Sequence, residues 1–328
     1  MYKIKQMPKQ NILITGISGQ DGIFLTSSIN KYATINQTII GITRQNSAQT
    51  LNKLRSIDKI PSNLKLLSID LTNSNETLKL ISDTKPSHIY NLSGPSSVYE
   101  SINNDIYFQK TINCIFDNLT NACIQENYFP NFFQACSSEM FSSSNSMPLT
   151  EKSSFNPRSP YAKAKYEVYE KVNYLKQEYD WNIKSGIMFN HESEFRDKQY
   201  LFMKTFLTAK KIKNREEDVL EIGSLDLSRD WSFAGDISNA IHQINISDDN
   251  SNYVIGSGIS TTIRKIVENI FSFYDLEYEN HIVLNPKLLR AQDPLNIVSD
   301  PSKIRNQLGW NPELSIDQLL ERIYRKVC

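Results

Sequence analysis

Short apolar runs recur along the first half of the chain and alternate with longer stretches of helical spacing. Asn11–Thr15 carries Ile12, Leu13 and Ile14 and runs into glycines, the pattern of a buried first strand. Similar runs stand at Thr38–Ile42, Leu64–Ile69, His88–Leu92, Phe132–Cys136 and Ile183–Met188. Between them, Gly22–Ile29 repeats apolar residues at Ile23, Phe24, Leu25 and Ile29, and Thr111–Ile124 lines up Ile115, Leu119 and Ala122 on one face. Short buried strands alternating with helices predict an α/β fold built on a parallel, doubly wound sheet.

The rhythm changes after Met188. Residues 189–235 mix charged loop with a helical stretch from Leu201 to Ile212. Asp236–Ile246 reads as a helix, Asn252–Ile255 as a strand, and Thr262–Phe273 as an amphipathic helix with Ile263, Ile266, Val267 and Ile270 inward. Asp300-Pro301 predicts a helix start, with Asp as the cap and Pro in the first turn, and Gly309 predicts its end. Ser315 and Gln318 have capping-box spacing before a last helix. A smaller, discontinuous second lobe is therefore expected. It would comprise residues 189–231 and 257–328, and the first domain would span 1–188 and be rejoined by about 232–256. Ser142–Ser146 reads as a short polar loop.

Composition narrows the class. The 328 residues are 39% hydrophobic, enough for a sizeable core. Lys and Arg total 36, as do Asp and Glu, so there is no basic field for nucleic acid or an anionic membrane. An anionic ligand must then be held by local groups. Cys114, Cys123, Cys136 and Cys328 show neither CxxC nor zinc-ligand spacing, so no metal site is expected and the pattern suits a reducing compartment. No stretch reaches transmembrane length and the first residues lack a signal-peptide core, so a cytoplasmic protein without a cleaved leader is expected.

Gly16-Ile-Ser-Gly19-Gln-Asp-Gly22 lies between the first strand and the first helix. There, glycines let the backbone approach a pyrophosphate that faces the helix N-terminus, the signature of a Rossmann-type dinucleotide site. Arg44 ends the second strand, where NAD-preferring sites usually place a carboxylate for the ribose 2′-hydroxyl; an arginine suits a 2′-phosphate, so NADP is favoured over NAD. Asp70 and Leu71 follow the third run, with the carboxylate placed for an adenine amino group, and Leu92 and Ser93 follow the fourth.

Two segments carry the chemistry. Tyr161 and Lys165 have YxxxK spacing, one turn apart on a helix face. The ammonium is expected to lower the phenol pKa, so that phenolate takes a proton from a sugar hydroxyl as hydride leaves, and Lys165 can also bond the nicotinamide ribose. Ser137 lies just past the fifth strand, placed to bond the reacting oxygen, and Glu139 follows two residues on, 22 residues before Tyr161. A plain reductase or epimerase has no need of that extra carboxylate; a β-elimination does.

The segments Thr15–Gly22, Gln134–Glu139, Pro157–Tyr161, Phe189-Asn-His-Glu-Ser193, Ser228-Arg-Asp-Trp231 and Leu308-Gly-Trp310 together resemble the GDP-mannose 4,6-dehydratases, extended short-chain dehydrogenase/reductases, in family order across nearly the whole chain. The resemblance implies a lyase with tightly held NADP that is recycled within each turnover. It implies that Tyr161 deprotonates the C4 hydroxyl, that Glu139 removes the C5 proton and helps the C6 hydroxyl leave as water, and that Ser137 stands where the family has a threonine. The hydride would travel from C4 to the cofactor and back to C6, leaving a 4-keto-6-deoxy sugar nucleotide. Gly16, Gly19, Gln20, Asp21, Gly22, Arg44, Asp70, Leu71, Leu92, Ser93, Tyr161, Lys165 and His191 would hold the cofactor. Ser96, Asn190, Lys204, Arg229, Arg290 and Asp293 would hold a GDP-sugar, and a homodimer or homotetramer is expected. Trp231 and Trp310 read as packing residues and His88 as structural.

The chain departs from the family at Gln45, commonly a second arginine; at Met140-Phe141-Ser142, usually Leu-Tyr-Gly; at Ser93–Ser97, usually Ala-Ala-Gln-Ser-His; and at Arg290-Ala-Gln-Asp293, usually Arg-Pro-Thr-Glu. A different hexose, a heptose or another base therefore stays open. So do two other functions, an NADP-dependent 4-reductase or epimerase and a non-catalytic NADP-binding sensor. The intact Tyr161 and Lys165 weigh against the sensor, and Glu139 against the reductase.

Overall fold

The computed structural model describes residues 10–32, 37–44, 47–141, 147–289 and 294–327. Arg290, Asp293, Gln45, the Ser142–Ser146 segment and Cys328 lie outside the described residues. The first half alternates β1 (Gln10–Thr15), α1 (Gln20–Tyr32), β2 (Gln37–Ile42), α2 (Ser47–Ile57), β3 (Leu64–Leu67), α3 (Ser74–Thr84), β4 (His88–Asn91), α4 (Val98–Asn103), α5 (Asp105–Gln125), β5 (Asn131–Ser137), α6 (Pro160–Tyr179) and β6 (Ile183–Met188). The second half contains β7 (Asn190–Glu192), α7 (Leu201–Lys213), β8 (Leu220–Ile222), β9 (Ser228–Phe233), α8 (Ala234–Ile246), β10 (Tyr253–Ile255), β11 (Ser260–Thr262), α9 (Ile263–Ser272), β12 (Ile282–Leu284), β13 (Asn296–Ile297), α10 (Ser302–Leu308) and α11 (Ile316–Val327).

Seven strands form one sheet in the order β10-β6-β5-β4-β1-β2-β3, every neighbouring pair parallel. Successive side chains point to opposite faces, and the two faces are separate cores. Leu13, Ile40, Ile89 and Phe132 pack beneath α3, α5 and α6, whereas Ile12, Ile14, Ile39 and Phe133 pack beneath α1 and α8. Burial on both faces explains the unbroken apolar runs. The strand order turns back between β1 and β4, which opens a crevice at their carboxyl ends. β3 ends at Leu67, so Asp70 and Leu71 stand in the turn beyond it.

A second sheet of β11, β9, β13 and β7, and a two-stranded pair of β12 and β8, come from residues after Met188. They share a core with α7, α9 and α11 built on Phe202, Phe206, Ile266, Ile270 and Leu320. Helix α10 begins at Ser302, not on Pro301, and the Asp300 carboxylate accepts the Ser302 amide at 3.0 Å. Gly309 closes it at φ 68°. Before α11 the capping box forms in both directions, Ser315 N to Gln318 Oε1 at 2.8 Å and Gln318 N to Ser315 Oγ at 3.3 Å. No helix among the described residues is long and apolar enough to cross a membrane.

Candidate active site

Two adjoining cavities occupy the crevice at the carboxyl ends of the strands. The first, about 340 Å³, runs past Gly16 and Gly19, Thr43 and Arg44, Asp70 to Thr72, and Leu92 to Ser96. The second, about 230 Å³, is lined by Ser137, Glu139, Tyr161, Lys165, Asn190 and His191. Asp21, Leu92, Ser96 and Arg196 line both.

The turn after β1 forms the first cavity because its glycines differ in what surrounds them. Gly16 holds φ +69°, and a Cβ there would stand 2.9 Å from the Leu92 carbonyl oxygen. At Gly19 a Cβ would meet only the Gly16 carbonyl, at 3.4 Å, so the backbone is bare toward open space. Gly22 does not line the cavity. A Cβ there would lie 2.5 Å from Ile17 Cα, so this glycine serves the packing of α1 against its own turn, and its expected cofactor contact is corrected accordingly. Gln20 also turns inward: its amide donates to the His191 carbonyl at 3.0 Å and accepts from Ser193 Oγ at 2.9 Å, tying α1 to the segment after β6. The Asp70 carboxylate accepts the Thr72 amide at 3.0 Å and hydroxyl at 2.8 Å, which holds its pKa below the ordinary value. A bare-backbone turn facing a helix N-terminus, with an arginine and a fixed carboxylate beyond it, fits an anionic dinucleotide.

In the second cavity β5 delivers Ser137 and the following 3₁₀ turn, Ser138–Phe141, delivers Glu139. Glu139 therefore occupies a helical turn, but its carboxylate lines the cavity. Helix α6 starts on a Ser159 cap with Pro160 in its first turn and brings Tyr161 and Lys165 to its buried face. Lys165 Nζ donates to the Ala135 carbonyl at 2.8 Å and lies 5.8 Å from the Tyr161 ring centroid. The expected lowering of the phenol pKa by Lys165 is not found. Burial raises the Tyr161 pKa, a hydrogen bond with Ser137 opposes that, and the Glu139 charge raises it further. Burial likewise lowers the Lys165 pKa.

A charged cluster stands at the junction of the cavities. His191 Nε2 lies 3.0 Å from Asp21 Oδ1 and its Nδ1 lies 2.7 Å from the Phe189 carbonyl, so both nitrogens face acceptors. Burial opposes both charges, yet the pair outweighs it: the Asp21 pKa is lowered and the His191 pKa raised. Arg196 Nε stands 3.7 Å from Glu192 Oε1, and burial raises the Glu192 pKa against that attraction.

A family model described as GDP-mannose 4,6 dehydratase matches residues 13–323. The chain belongs to the GDP-mannose 4,6-dehydratase family. GDP-mannose 4,6 dehydratase 1 of Arabidopsis thaliana is 29% identical over 96% of this chain and 88% of the relative. The Drosophila melanogaster GDP-mannose 4,6 dehydratase is 30% identical over 94% and 83%. Among solved structures, a UDP-glucose 4-epimerase from Thermotoga maritima with UDP-glucose superposes at a TM-score of 0.84 with 19% identity, covering 97% of this chain and 98% of that one, a likeness of fold.

For this GDP-mannose 4,6-dehydratase family chain, the predicted substrate residues divide. Ser96 and Asn190 line the catalytic cavity. Lys204 does not: its ammonium donates to the Glu221 carbonyl at 2.8 Å. Arg229 is buried in β9, and its Nη1 donates to the carbonyls of Ser228 at 2.8 Å and Pro294 at 3.0 Å, so it braces the second sheet away from the cavity wall. Trp231, read as packing, does pack on Phe202 at 4.8 Å but also lines the cavity. Trp310 is buried and donates to the Asp236 carbonyl at 3.0 Å. The sequence reading missed Arg196, Tyr200 and Tyr107 as cavity residues. The Glu192-to-Arg196 spacing of four was the one signal for Arg196.

Proposed function

We propose that the protein converts a GDP-hexose, GDP-mannose first among candidates, to its 4-keto-6-deoxy derivative with loss of one water. The observation that carries this reading is Glu139 sharing one cavity with Ser137, Tyr161 and Lys165. NADP fits the first cavity: Gly16, Gly19 and the start of α1 would take the pyrophosphate, Arg44 a 2′-phosphate and Asp70 the adenine end. When bound, the nicotinamide supplies hydride chemistry, removal from C4 and return to C6.

Tyr161, in the phenolate form that burial disfavours, would accept the C4 hydroxyl proton as that carbon becomes a ketone, and Ser137 bonds the same oxygen. The ketone acidifies the C5 hydrogen. Glu139 takes that proton and delivers it to the C6 hydroxyl, so the C6–O bond breaks, a C5–C6 double bond forms and water leaves; once hydride has returned to C6, C5 regains a proton from solvent through the same carboxyl group. Lys165, whose ammonium donates to the Ala135 carbonyl, would bond the cofactor ribose next to the reacting ring. Residues 189–231 and 257–328 would form the sugar-nucleotide lobe, with Asn190 toward the diphosphate. Arg290 and Asp293 remain proposed nucleotide contacts on sequence alone.

Incubation with GDP-mannose and no added reductant should give a product lighter by one water by mass spectrometry. Turnover only with stoichiometric NADPH would instead establish a reductase. A protein that carries NADP but turns over no sugar nucleotide would be a sensor.

A further inference from the structure

The loop after β4 and the start of α7 reach toward each other at the junction of the two cavities. Ser96 Oγ and Tyr200 OH are 3.0 Å apart. The Arg196 guanidinium lies over the Tyr200 ring, its Cζ 3.7 Å from the centroid, close enough for a cation–π contact. The backbone of Tyr200 is held as well. Its amide donates to the Asp197 carbonyl at 3.1 Å, and its carbonyl accepts the Lys204 amide at 2.8 Å as α7 begins. The ring is therefore fixed by its stack and its helix terminus, and the hydroxyl is the part able to change partners. Tyr200 and Ser96 line the cavity that holds Ser137, Glu139 and Tyr161.

A phenol and an alcohol each donate once and accept more than once, so the pair bonds internally and keeps capacity for another polar neutral group. Ser137, Glu139 and Tyr161 have roles at the reacting carbons. The hydroxyls on the rest of a pyranose need hydrogen-bond partners, and Tyr200 and Ser96 can both donate and accept. We propose that the Tyr200 hydroxyl, paired with Ser96 and set by its stack on Arg196, bonds the ring hydroxyls of the sugar and is a specificity-determining residue. This rests on the sugar-nucleotide reading above.

Tyr200→Phe keeps the ring and its stack and removes one oxygen. With cofactor-loaded protein and calorimetry, the variant should bind GDP-mannose about 2- to 12-fold more weakly, the range for one lost hydrogen bond, and bind GDP as the wild type does. Unchanged GDP-mannose affinity, or equal weakening toward GDP, would overturn the proposal. So would loss of cofactor from the purified variant, which would make Tyr200 a brace. Ser96→Ala combined with Tyr200→Phe should be less than additive; full additivity would sink the pairing. If the wild type ignores GDP-mannose, the substrate reading fails by itself. UDP-glucose against UDP, or dTDP-glucose against dTDP, then decides the Tyr200 question by the same comparison, and a wild type that binds none of these sugars more tightly than its diphosphate overturns the Tyr200 proposal as well.

Discussion

At the scale of single residues, Glu139 is the proposed acid–base group that would separate dehydration from simple oxidoreduction, since it lines the cavity that also holds the Tyr161-Lys165 pair, which needs no third acid for hydride transfer alone. Glu139→Gln is nearly isosteric and leaves the turn intact. It should keep cofactor and sugar-nucleotide binding yet lose at least about 10²-fold in turnover, the usual contribution of a positioned acid–base group, and should stop exchange of the C5 hydrogen with deuterated solvent. Unimpaired exchange, followed by NMR, would remove Glu139 from the role. Tyr161 shows what a motif does not reveal. YxxxK spacing brings the ammonium to the same helix face, but the Ala135 carbonyl takes that ammonium, and burial sets the phenol pKa instead.

At the scale of elements, α8 is fixed to the sheet by buried polar side chains as well as by apolar packing. Lys184 of β6 donates to the Ile244 carbonyl at 2.8 Å and to the Ser247 carbonyl, covering the C-terminal oxygens of the helix. His242 Nδ1 lies 2.8 Å from the Tyr90 hydroxyl of β4, and burial, with His88 nearby, lowers its pKa to about 4. A base with a depressed folded pKa is neutral in the fold while the unfolded chain takes up the proton. Its contribution is therefore intact above pH 6.5 and is lost as pH falls toward 4. Between pH 7 and pH 5 the loss should be roughly 2 kcal/mol, and urea unfolding of His242→Gln should show that much less acid sensitivity than wild type. Equal sensitivity would mean the imidazole is not buried as described. Helices α1, α5 and α9 were legible from periodicity, whereas α2, α3 and β9 were not read. Of the three-residue strands, β10 was legible as an apolar run, and β7, β8, β11 and β12 were not, since so few residues of mixed polarity carry no period to read.

At the scale of the molecule, Tyr99, Ile102, Ile106 and Tyr174 leave apolar surface exposed on α4, α5 and α6, helices that share one side of the sheet. Exposed apolar surface of this kind suits association, and we propose that the homodimer or homotetramer expected from the resemblance forms through it. Ile102→Glu with Ile106→Glu should lower the sedimenting mass toward the monomer; a wild type that already sediments as a monomer would refute the assignment. The sequence by itself determined the parallel sheet, because strands buried on both faces must be apolar throughout. It also placed the glycine turn, because Gly16, Gly19 and Gly22 sit where strand meets helix, and it singled out Ser137, Glu139, Tyr161 and Lys165 as candidates, which follow β5 or start α6 and line one cavity. Tertiary structure decided which further cations line the cavities beside Arg44 and Lys165. Arg229 and Lys204 have the right charge and motif position, but their donors meet carbonyls from the second sheet and its neighbour. Arg196 and Tyr200 enter the cavity because the segment after β7 folds back over the crevice. A hydrogen bond depends on which backbone oxygen comes near 3 Å, and for Lys204 and Arg229 these include carbonyls 17 and 65 residues further along the chain.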